Sequence, residues 1–160
     1  MIVVSDTSPL SHLHQIGRLS LLYALYGEII IPPAVAHELR AAPELHEGFD
    51  WSHLRVVTPI AAQQVEALLT EIDRGESEAI VVALELHADL LLIDERTGRD
   101  VAQRMGVRRT GLVGVLLDAK HHGLIPSLVE ELDRLVAQTT FRLHPTVRAE
   151  ALRVANEGEE

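Results

Sequence analysis

The sequence predicts an α/β protein in which helices cover both faces of a parallel sheet. Short apolar segments typical of buried strands, such as Ile29–Ile31 and Leu90–Ile93, alternate with longer segments of helical periodicity. Strands that are separated by helices pair in parallel, and a parallel sheet is buried on both faces. The chain has 160 residues, of which 47% are hydrophobic. We therefore expect a single domain over residues 1–160 whose tail frays from about residue 156.

The N-terminal half supplies three of the expected strands. Ile2–Val4 is apolar and mostly β-branched, and Thr7-Ser8-Pro9 after it is a typical helix start. Pro32-Pro33 ends the strand Ile29–Ile31 and suits the first turn of the next helix. The segment 54–57 is short and flanked by polar residues, which favours an edge strand. Helices are expected over residues 10–16, 19–26, 34–42 and 61–72, with a loop or irregular helix over 43–50.

The C-terminal half begins with an unusually apolar helix, Glu76–His87, which we expect to be buried. The segment Asp73-Arg74-Gly75 is predicted to end the preceding helix, 61–72. Leu90–Ile93 is the next buried strand, and residues 107–110 form a short one. Further helices are expected over 97–105, 111–122, 125–136 and 146–155, with an extended segment at 141–143.

Composition excludes several classes of protein. The formal net charge of −10 argues against non-specific binding of nucleic acid over the whole surface, but it is compatible with a nuclease whose acids surround metal ions. The absence of cysteine excludes disulfides and thiolate metal sites and fits a reducing cytoplasm. No apolar run reaches the length of a membrane span, and the N-terminus has no signal-peptide pattern. We expect a cytoplasmic protein without a membrane partner.

Two aspartates follow the two most apolar strands. Asp6 ends the first of them, and Asp94, followed at once by Glu95, ends the strand Leu90–Ile93. Each aspartate alone is more typical of a turn or a helix cap. The carboxyl ends of parallel strands meet at one edge of a sheet, where ligands bind, so the matched pair favours a site. Asp94 is the favoured ligand, and Glu95 is the alternative.

Glu38 is a third acid with an unusual position. It lies on the apolar stripe that Val35, Leu39 and Ala42 form on its expected helix. A buried carboxylate is costly unless it is paired or binds a metal. A salt bridge with an arginine, or an exposed position near the helix end, explains Glu38 equally well.

Glu76 and Glu78 lie at the start of the most buried helix. Residues two apart project about 200° from each other around a helix, so one site is not expected to use both. Glu78 lies closer to the apolar part of the helix and is favoured as a metal ligand. Glu76 is expected to cap the helix or to support the ligands from behind. Both also complement the helix dipole, which is the non-functional explanation.

Several carboxylates without cysteine favour Mg²⁺ or Mn²⁺ over zinc. Such ions activate a water molecule and stabilise charge that develops on a phosphoryl group. The sequence contains no HExxH motif, so catalysis by a histidine-bound zinc ion is weakly supported. Carboxylates that bind Mg²⁺ or Mn²⁺ therefore point to phosphoryl chemistry.

Basic and hydroxyl side chains accompany the acids. The hydroxyls of Thr7 and Ser8 lie near a helix amino end, which suits an anion or a ligand water. A solvated helix face is the ordinary explanation for a run of arginines. The position of this run directly after Asp94 favours phosphate binding. The run comprises Arg96, Arg99, Arg104, Arg108 and Arg109.

Four motifs resemble those of PIN-domain proteins. They are Asp6–Leu10, the Ile31–Leu39 segment that contains Glu38, Gly75–Ile80, and Leu91–Arg99. The similarity is greatest to the VapC-like group that carries a domain of unknown function, which also shares Ala119-Lys120 and Gly123–Ile125. The resemblance covers nearly the whole chain, and the motifs are specific in combination.

The resemblance implies a three-layer α/β/α sandwich with a central parallel sheet of four or five strands. It also implies a metal-dependent ribonuclease, often the toxin of a toxin–antitoxin pair and often a homodimer. Matching positions make Asp6, Glu38, Glu78 and Asp94 the acidic pocket. Many PIN domains carry Ser or Thr two positions before the last acid. If Glu95 is that acid, Ile93 replaces the hydroxyl, so Asp94 and Glu95 stay alternatives.

The leading hypothesis is an endoribonuclease that hydrolyses RNA phosphodiester bonds with one or two Mg²⁺ or Mn²⁺ ions and that has a cognate antitoxin protein. Its predicted residues are Asp6, Glu38, Glu78 and Asp94 as catalytic metal ligands, Glu95 as a further ligand, Thr7, Ser8, Arg96 and Arg99 at the substrate, and Glu76 behind the ligands. The alternative is a catalytically weak PIN-like module that acts through a protein partner. A phosphatase with an aspartate nucleophile fits poorly, because Ser8 stands where a second acid is needed.

Overall fold

A computed structural model describes residues 1–158 of the chain. Its strands form one parallel sheet in the order β3–β2–β1–β4–β5, where the strands are β1 (Val3–Ser5), β2 (Ile29–Ile31), β3 (Leu54–Val56), β4 (Leu90–Leu92) and β5 (Arg109–Thr110). The chain builds the sheet outward from β1 in one direction and then returns to add β4 on the other side. This switch point between β1 and β4 opens a crevice at the carboxyl edge, which is where α/β sheets bind ligands.

Helices occupy most of the remaining described chain. They are α1 (Thr7–Gln15), α2 (Leu19–Tyr26), α3 (Pro33–Ala41), α4 (Ala62–Leu68), α5 (Arg74–Glu85), α6 (Arg96–Arg104), α7 (Leu112–His121), α8 (Leu128–Gln138) and α9 (Pro145–Val154). None of the helices in the described part has both the length and the apolar character that crossing a membrane requires.

Alternate residues of the strands face two different layers of helices. Val3 and Ile31 pack into one apolar cluster with α1, α2, α3, α7, α8 and α9. Val4 and Ile30 pack into a second cluster with α4, α5 and α6. Because side chains alternate along a strand, the two clusters lie on opposite faces of the sheet. The predicted three-layer α/β/α architecture with a parallel sheet is therefore confirmed.

The observed elements differ from the predicted ones mainly at helix ends. A break does separate α4 from α5, but α5 begins at Arg74, two residues earlier than predicted, because the Asp73 carboxylate caps it by accepting the Glu76 amide at 2.8 Å. Helix α8 begins later than predicted because Ser127 caps it. Helix α4 ends earlier, at Leu68. Residues 141–143 join no strand of the described sheet.

The predicted frayed tail reaches residues 159 and 160, which lie outside the described residues. Within the described part, the Glu157 carboxylate accepts the Leu128 amide at 2.7 Å and pairs with Lys120 at 3.1 Å. Glu157 therefore caps α8 and connects the end of the described chain to α7.

A buried carboxylate links α8 to the turn between α1 and α2. The side chain of Glu131 is 1% exposed and pairs with Arg18 at 2.8 Å and with Arg134 at 3.2 Å. Removing one partner of a buried ion pair leaves the other charge poorly compensated.

We expect Arg18→Gln to lower the free energy of unfolding by about 2–3 kcal/mol, measured by chemical denaturation. Arg55→Gln is the control, because the exposed Arg55–Glu28 pair should contribute less than about 1 kcal/mol. Equal losses in the two variants would contradict this role of Glu131.

Candidate metal-binding and catalytic site

Asp6 lies at the centre of the carboxyl edge of the sheet. The register pairs Ser5 of β1 with Leu92 of β4, and the Asp6 amide donates to the Leu92 carbonyl at 2.9 Å. Asp6 is only 4% exposed. It stands at the N-cap position of α1, yet its side chain makes no capping hydrogen bond. The structure therefore places its carboxylate at the switch point without the role of an ordinary helix cap.

Asp94 and Glu95 follow β4 at the same edge. One oxygen of Asp94, Oδ1, accepts the Leu112 amide at the start of α7 at 2.8 Å. The other oxygen, Oδ2, is buried and has no hydrogen-bond partner among the described residues. Glu95 occupies the N-cap position of α6 and is exposed. A hydrogen bond thus holds one oxygen of Asp94, and the other oxygen is available to a ligand. Glu95 lies at the exposed rim of the cluster.

Glu76 and Asp73 bring the start of α5 to this cluster. Glu76 is buried, and its Oε2 has no hydrogen-bond partner within residues 1–158. Asp73 adjoins it through the helix cap, and the charges of both Asp73 and Asp6 act on Glu76. Asp73 is a residue that the sequence prediction missed. Its spacing of three from Glu76 is that of a capping box, which is the signal that could have identified it.

Glu38 of α3 reaches the cluster from the other side. Its Oε2 accepts a short hydrogen bond from the Thr7 hydroxyl. A Cβ atom at Gly75 would lie 2.6 Å from Glu38 Oε1, and one at Gly98 would collide with the Glu76 carboxylate and lie 2.8 Å from Ile93 Cδ1. Only glycine leaves room for these two carboxylates at α5 and α6.

Glu78 lies beside this cluster, where its charge acts on Glu38, whereas Glu76 lies within reach of the charge of Asp6. Its Oε1 accepts the Ala34 amide at the start of α3 at 3.1 Å, and its Oε2 lies 3.7 Å from the Arg74 guanidinium. Together with Arg74 it lines a separate cavity near Pro33. The two glutamates therefore project to different places, as their spacing predicts, but it is Glu76 that faces Asp6.

Burial raises the pKa values of the clustered acids. The pKa of Asp6 rises to about 7, mainly through burial and then through the charges of Asp73, Glu38 and Asp94, against the Thr7 amide. Burial and a hydrogen bond with Asp73 raise the pKa of Glu76 to about 8. Burial raises the pKa of Asp94 to about 6, although the Leu112 amide and the Arg99 charge oppose it. A site that raises several carboxylate pKa values favours a bound cation.

The pKa of Glu38 shifts in the same direction. Burial raises it, the hydrogen bond from Thr7 lowers it, and the charges of Asp73 and Glu78 raise it again. Glu38 therefore belongs to the same electrostatic cluster as Asp6.

The residues of the cluster fit a hard divalent cation in chemistry. Carboxylate oxygens are the ligands that Mg²⁺ and Mn²⁺ prefer. The partnerless oxygens of Glu76 and Asp94 are costly unless a donor or a cation meets them. Across residues 1–158, no three acidic or histidine side chains are already arranged around one ion position.

A cleft adjoins the cluster at Asp94. Ser8, Arg96 and Arg99, which the sequence predicts at the substrate, all line it. Arg104 instead pairs with Glu71 at 2.6 Å on the surface. The cleft is also lined by residues that the sequence prediction missed, namely His12, Thr140, Phe141, Arg142 and His144. They come from chain segments far from Asp94, and no local motif marks them.

Comparison with known proteins identifies the family. No curated protein matches the chain. A family model described as a PIN domain matches residues 2–157, which is nearly the whole chain. Members of that family are typically nucleases that depend on a divalent metal ion. The parallel sheet, with acids gathered at its carboxyl edge, agrees with this match, and the chain belongs to the PIN-domain family.

Proposed function

We propose that this protein is an endoribonuclease that uses Mg²⁺ or Mn²⁺ to hydrolyse RNA phosphodiester bonds. The observation that carries the proposal is the pair of buried, partnerless oxygens on Glu76 and Asp94, which lie in one cluster with Asp6. The resemblance of the four sequence motifs to VapC-like proteins supports the choice of RNA.

The proposed ligands are revised from the sequence prediction. Asp6, Glu76 and Asp94 would hold the metal, and Asp73 and Glu38 would complete the negative field around it. Glu95 would assist from the rim. We place Glu78 outside the direct ligands, because its Oε1 accepts the Ala34 amide and its Oε2 lies 3.7 Å from the Arg74 guanidinium. The metal, when bound, supplies an activated water and charge stabilisation for the reacting phosphate.

The other residues of the site would bind and orient the substrate. Thr7 fixes Glu38 through its hydroxyl. Arg96 and Arg99 would contact phosphate oxygens, and Ser8 would donate a hydrogen bond at the mouth of the cleft. Arg99 also lowers the pKa of Asp94, which favours the ionised carboxylate that a metal needs.

We further propose that the chain is a single domain that acts in the cytoplasm as the toxin of a toxin–antitoxin pair, and that it forms a homodimer. The resemblance to VapC-like proteins supports these proposals, and the family match over residues 2–157 supports the single domain. An antitoxin that covers the cleft would block substrate.

The purified wild-type protein should cleave labelled RNA in the presence of Mn²⁺ or Mg²⁺ and not in EDTA. Mn²⁺ should also raise its melting temperature, because an ion that binds only the folded state stabilises it. Asp94→Asn should reduce both effects, since it removes a ligand charge but keeps an acceptor for the Leu112 amide. RNA or protein binding without metal-dependent cleavage would favour the catalytically weak module instead.

A further inference from the structure

The cleft beside Asp94 consists of two adjoining cavities. A cavity of about 300 Å³ includes Ser8, His12 and Thr140 in its lining. A second cavity of about 510 Å³ includes Arg99, Val113 and Val147. Both volumes fall in the range of small-molecule sites, roughly 300–1,000 Å³. The two cavities share Asp94, Arg96, Phe141 and Arg142, so they meet beside the acidic cluster.

The lining of the cleft carries arginines that form no salt bridge in the described chain. Arg96, Arg99 and Arg142 form no salt bridge with any acid in the described chain. Most of the other basic residues, such as Arg104 with Glu71, are paired. In a chain with a net charge of −10, free arginines gathered at one cleft favour an anionic ligand there.

An aromatic ring lies in the wall that the two cavities share. Phe141 lines both cavities and meets the His12 ring edge-on, with 5.9 Å between the ring centroids. Val113 and Val147 add apolar side chains to the lining of the larger cavity. Aromatic rings bind unstacked bases, and arginines bind the phosphates that connect them. The alternation of ring and guanidinium in Phe141-Arg142 matches the alternation of base and phosphate in a nucleotide chain.

We propose that the two cavities are nucleotide subsites on the two sides of the cleaved bond, and that Phe141 and Arg142 position the RNA between them. This inference rests on the proposed ribonuclease function. Phe141 contacts a base, Arg142 binds a phosphate next to the reacting one, and neither residue takes part in the metal chemistry. Both are therefore positioning residues, and the segment that carries them is a determinant of where the RNA is cut.

Two substrates separate this role from a general loss of activity. An RNA oligonucleotide fills both cavities, whereas bis(p-nitrophenyl) phosphate is a small diester that needs only the acidic cluster. We expect Phe141→Leu and Arg142→Gln each to lower kcat/KM for RNA by about tenfold or more. The loss on the small diester should be much smaller, and Phe141→Leu should change the preferred cleavage sites. Arg104→Gln, outside the cleft, is the matched control and should cleave RNA like the wild type.

Binding to an inactive variant tests the inference independently of catalysis. In an Asp6→Asn background without metal, Arg142→Gln should weaken the binding of a fluorescent RNA oligonucleotide and reduce the salt dependence of binding by about one phosphate contact. If the wild type cleaves neither substrate but this loss of binding occurs, the ribonuclease proposal fails, and the cleft is an RNA-binding site without a cleaved bond between its cavities. If RNA cleavage and binding are the same in Arg142→Gln, Phe141→Leu and Arg104→Gln, the subsites are refuted.

A space-filling variant provides a second test. Val147 lies on α9 at the edge of the larger cavity and is 47% exposed, so a larger side chain can be placed there without disturbing the core. Val147→Trp should obstruct the cavity and lower RNA cleavage more than cleavage of the small diester. Equal rates of Val147→Trp and wild type on RNA would show that this cavity holds no nucleotide.

Discussion

Replacing Asp6 by asparagine is expected to lower metal-dependent RNA cleavage by at least about 100-fold, because the variant lacks the charge at the centre of the ligand cluster. The loss should appear in kcat/KM measured under saturating Mn²⁺. Asparagine has nearly the same shape, so the buried position and the neighbouring β1–β4 register should be preserved. Asp133→Asn, an exposed acid on α8, is the control for a change of one charge.

The same substitution should stabilise the metal-free protein above neutral pH. The pKa of Asp6 rises from 3.8 to about 7 on folding, so the folded state holds this proton more tightly than the unfolded state. A group with a raised pKa contributes stability that is complete below the unfolded value and is lost as pH rises through the folded value. The metal-free wild type should therefore lose stability between about pH 4 and pH 8, the range set by Asp6 and Glu76.

At pH 8 the metal-free Asp6→Asn variant should exceed the wild type by about 2–4 kcal/mol in the free energy of unfolding, and the difference should shrink toward pH 4. Chemical denaturation in EDTA at several pH values measures it. Saturating Mn²⁺ should stabilise the wild type more than the variant, because bound cations favour the ionised cluster. A variant that is inactive, but equal to wild type in stability at every pH, would contradict the burial of an ionising Asp6.

The fold was predictable because its strands are short, apolar and separated by helices. The three isoleucines Ile29–Ile31 are all apolar, so they favour a strand that is buried on both faces. Pro32-Pro33 marks the start of α3 within one residue. Helix ends were less predictable where a polar side chain caps the helix. Ser127 and Asp73 fix the starts of α8 and α5 through hydrogen bonds, and apolar periodicity carries no information about those bonds.

The position of the candidate site is predictable from the ends of the strands. The identity of all the residues that form it is not. Asp6 and Asp94 were predictable because parallel strands align their carboxyl ends. The sequence favours Glu78 because it lies closer to the apolar part of α5, but both glutamates are buried, and the neighbours of each are set by tertiary packing. Phe141 and Arg142 reach the cleft through tertiary packing from a segment far from Asp94 in sequence. A single sequence offers no periodicity or motif for such a contact.

The same isosteric change should reduce activity far more at Glu76 than at Glu78. Glu76→Gln removes a buried carboxylate that faces Asp6 and whose Oε2 is without a partner in residues 1–158, and we expect it to lower kcat/KM for RNA by about 10²–10³-fold. Glu78→Gln keeps an oxygen that can accept the Ala34 amide, so its activity should fall less than about tenfold. Each variant removes one negative charge from α5, and the two sites are two positions apart, so each variant is a control for the other.

The number of protons released on metal binding should distinguish the two glutamates as well. The pKa of Glu76 is raised to about 8, so metal binding near neutral pH must displace its proton. Isothermal titration of Mn²⁺ into the wild type in two buffers of different ionisation enthalpy should report proton release, and Glu76→Gln should release fewer protons. Glu78→Gln should release as many as the wild type. Strong loss of activity and of proton release in Glu78→Gln, with Glu76→Gln unaffected, would return the ligand role to Glu78.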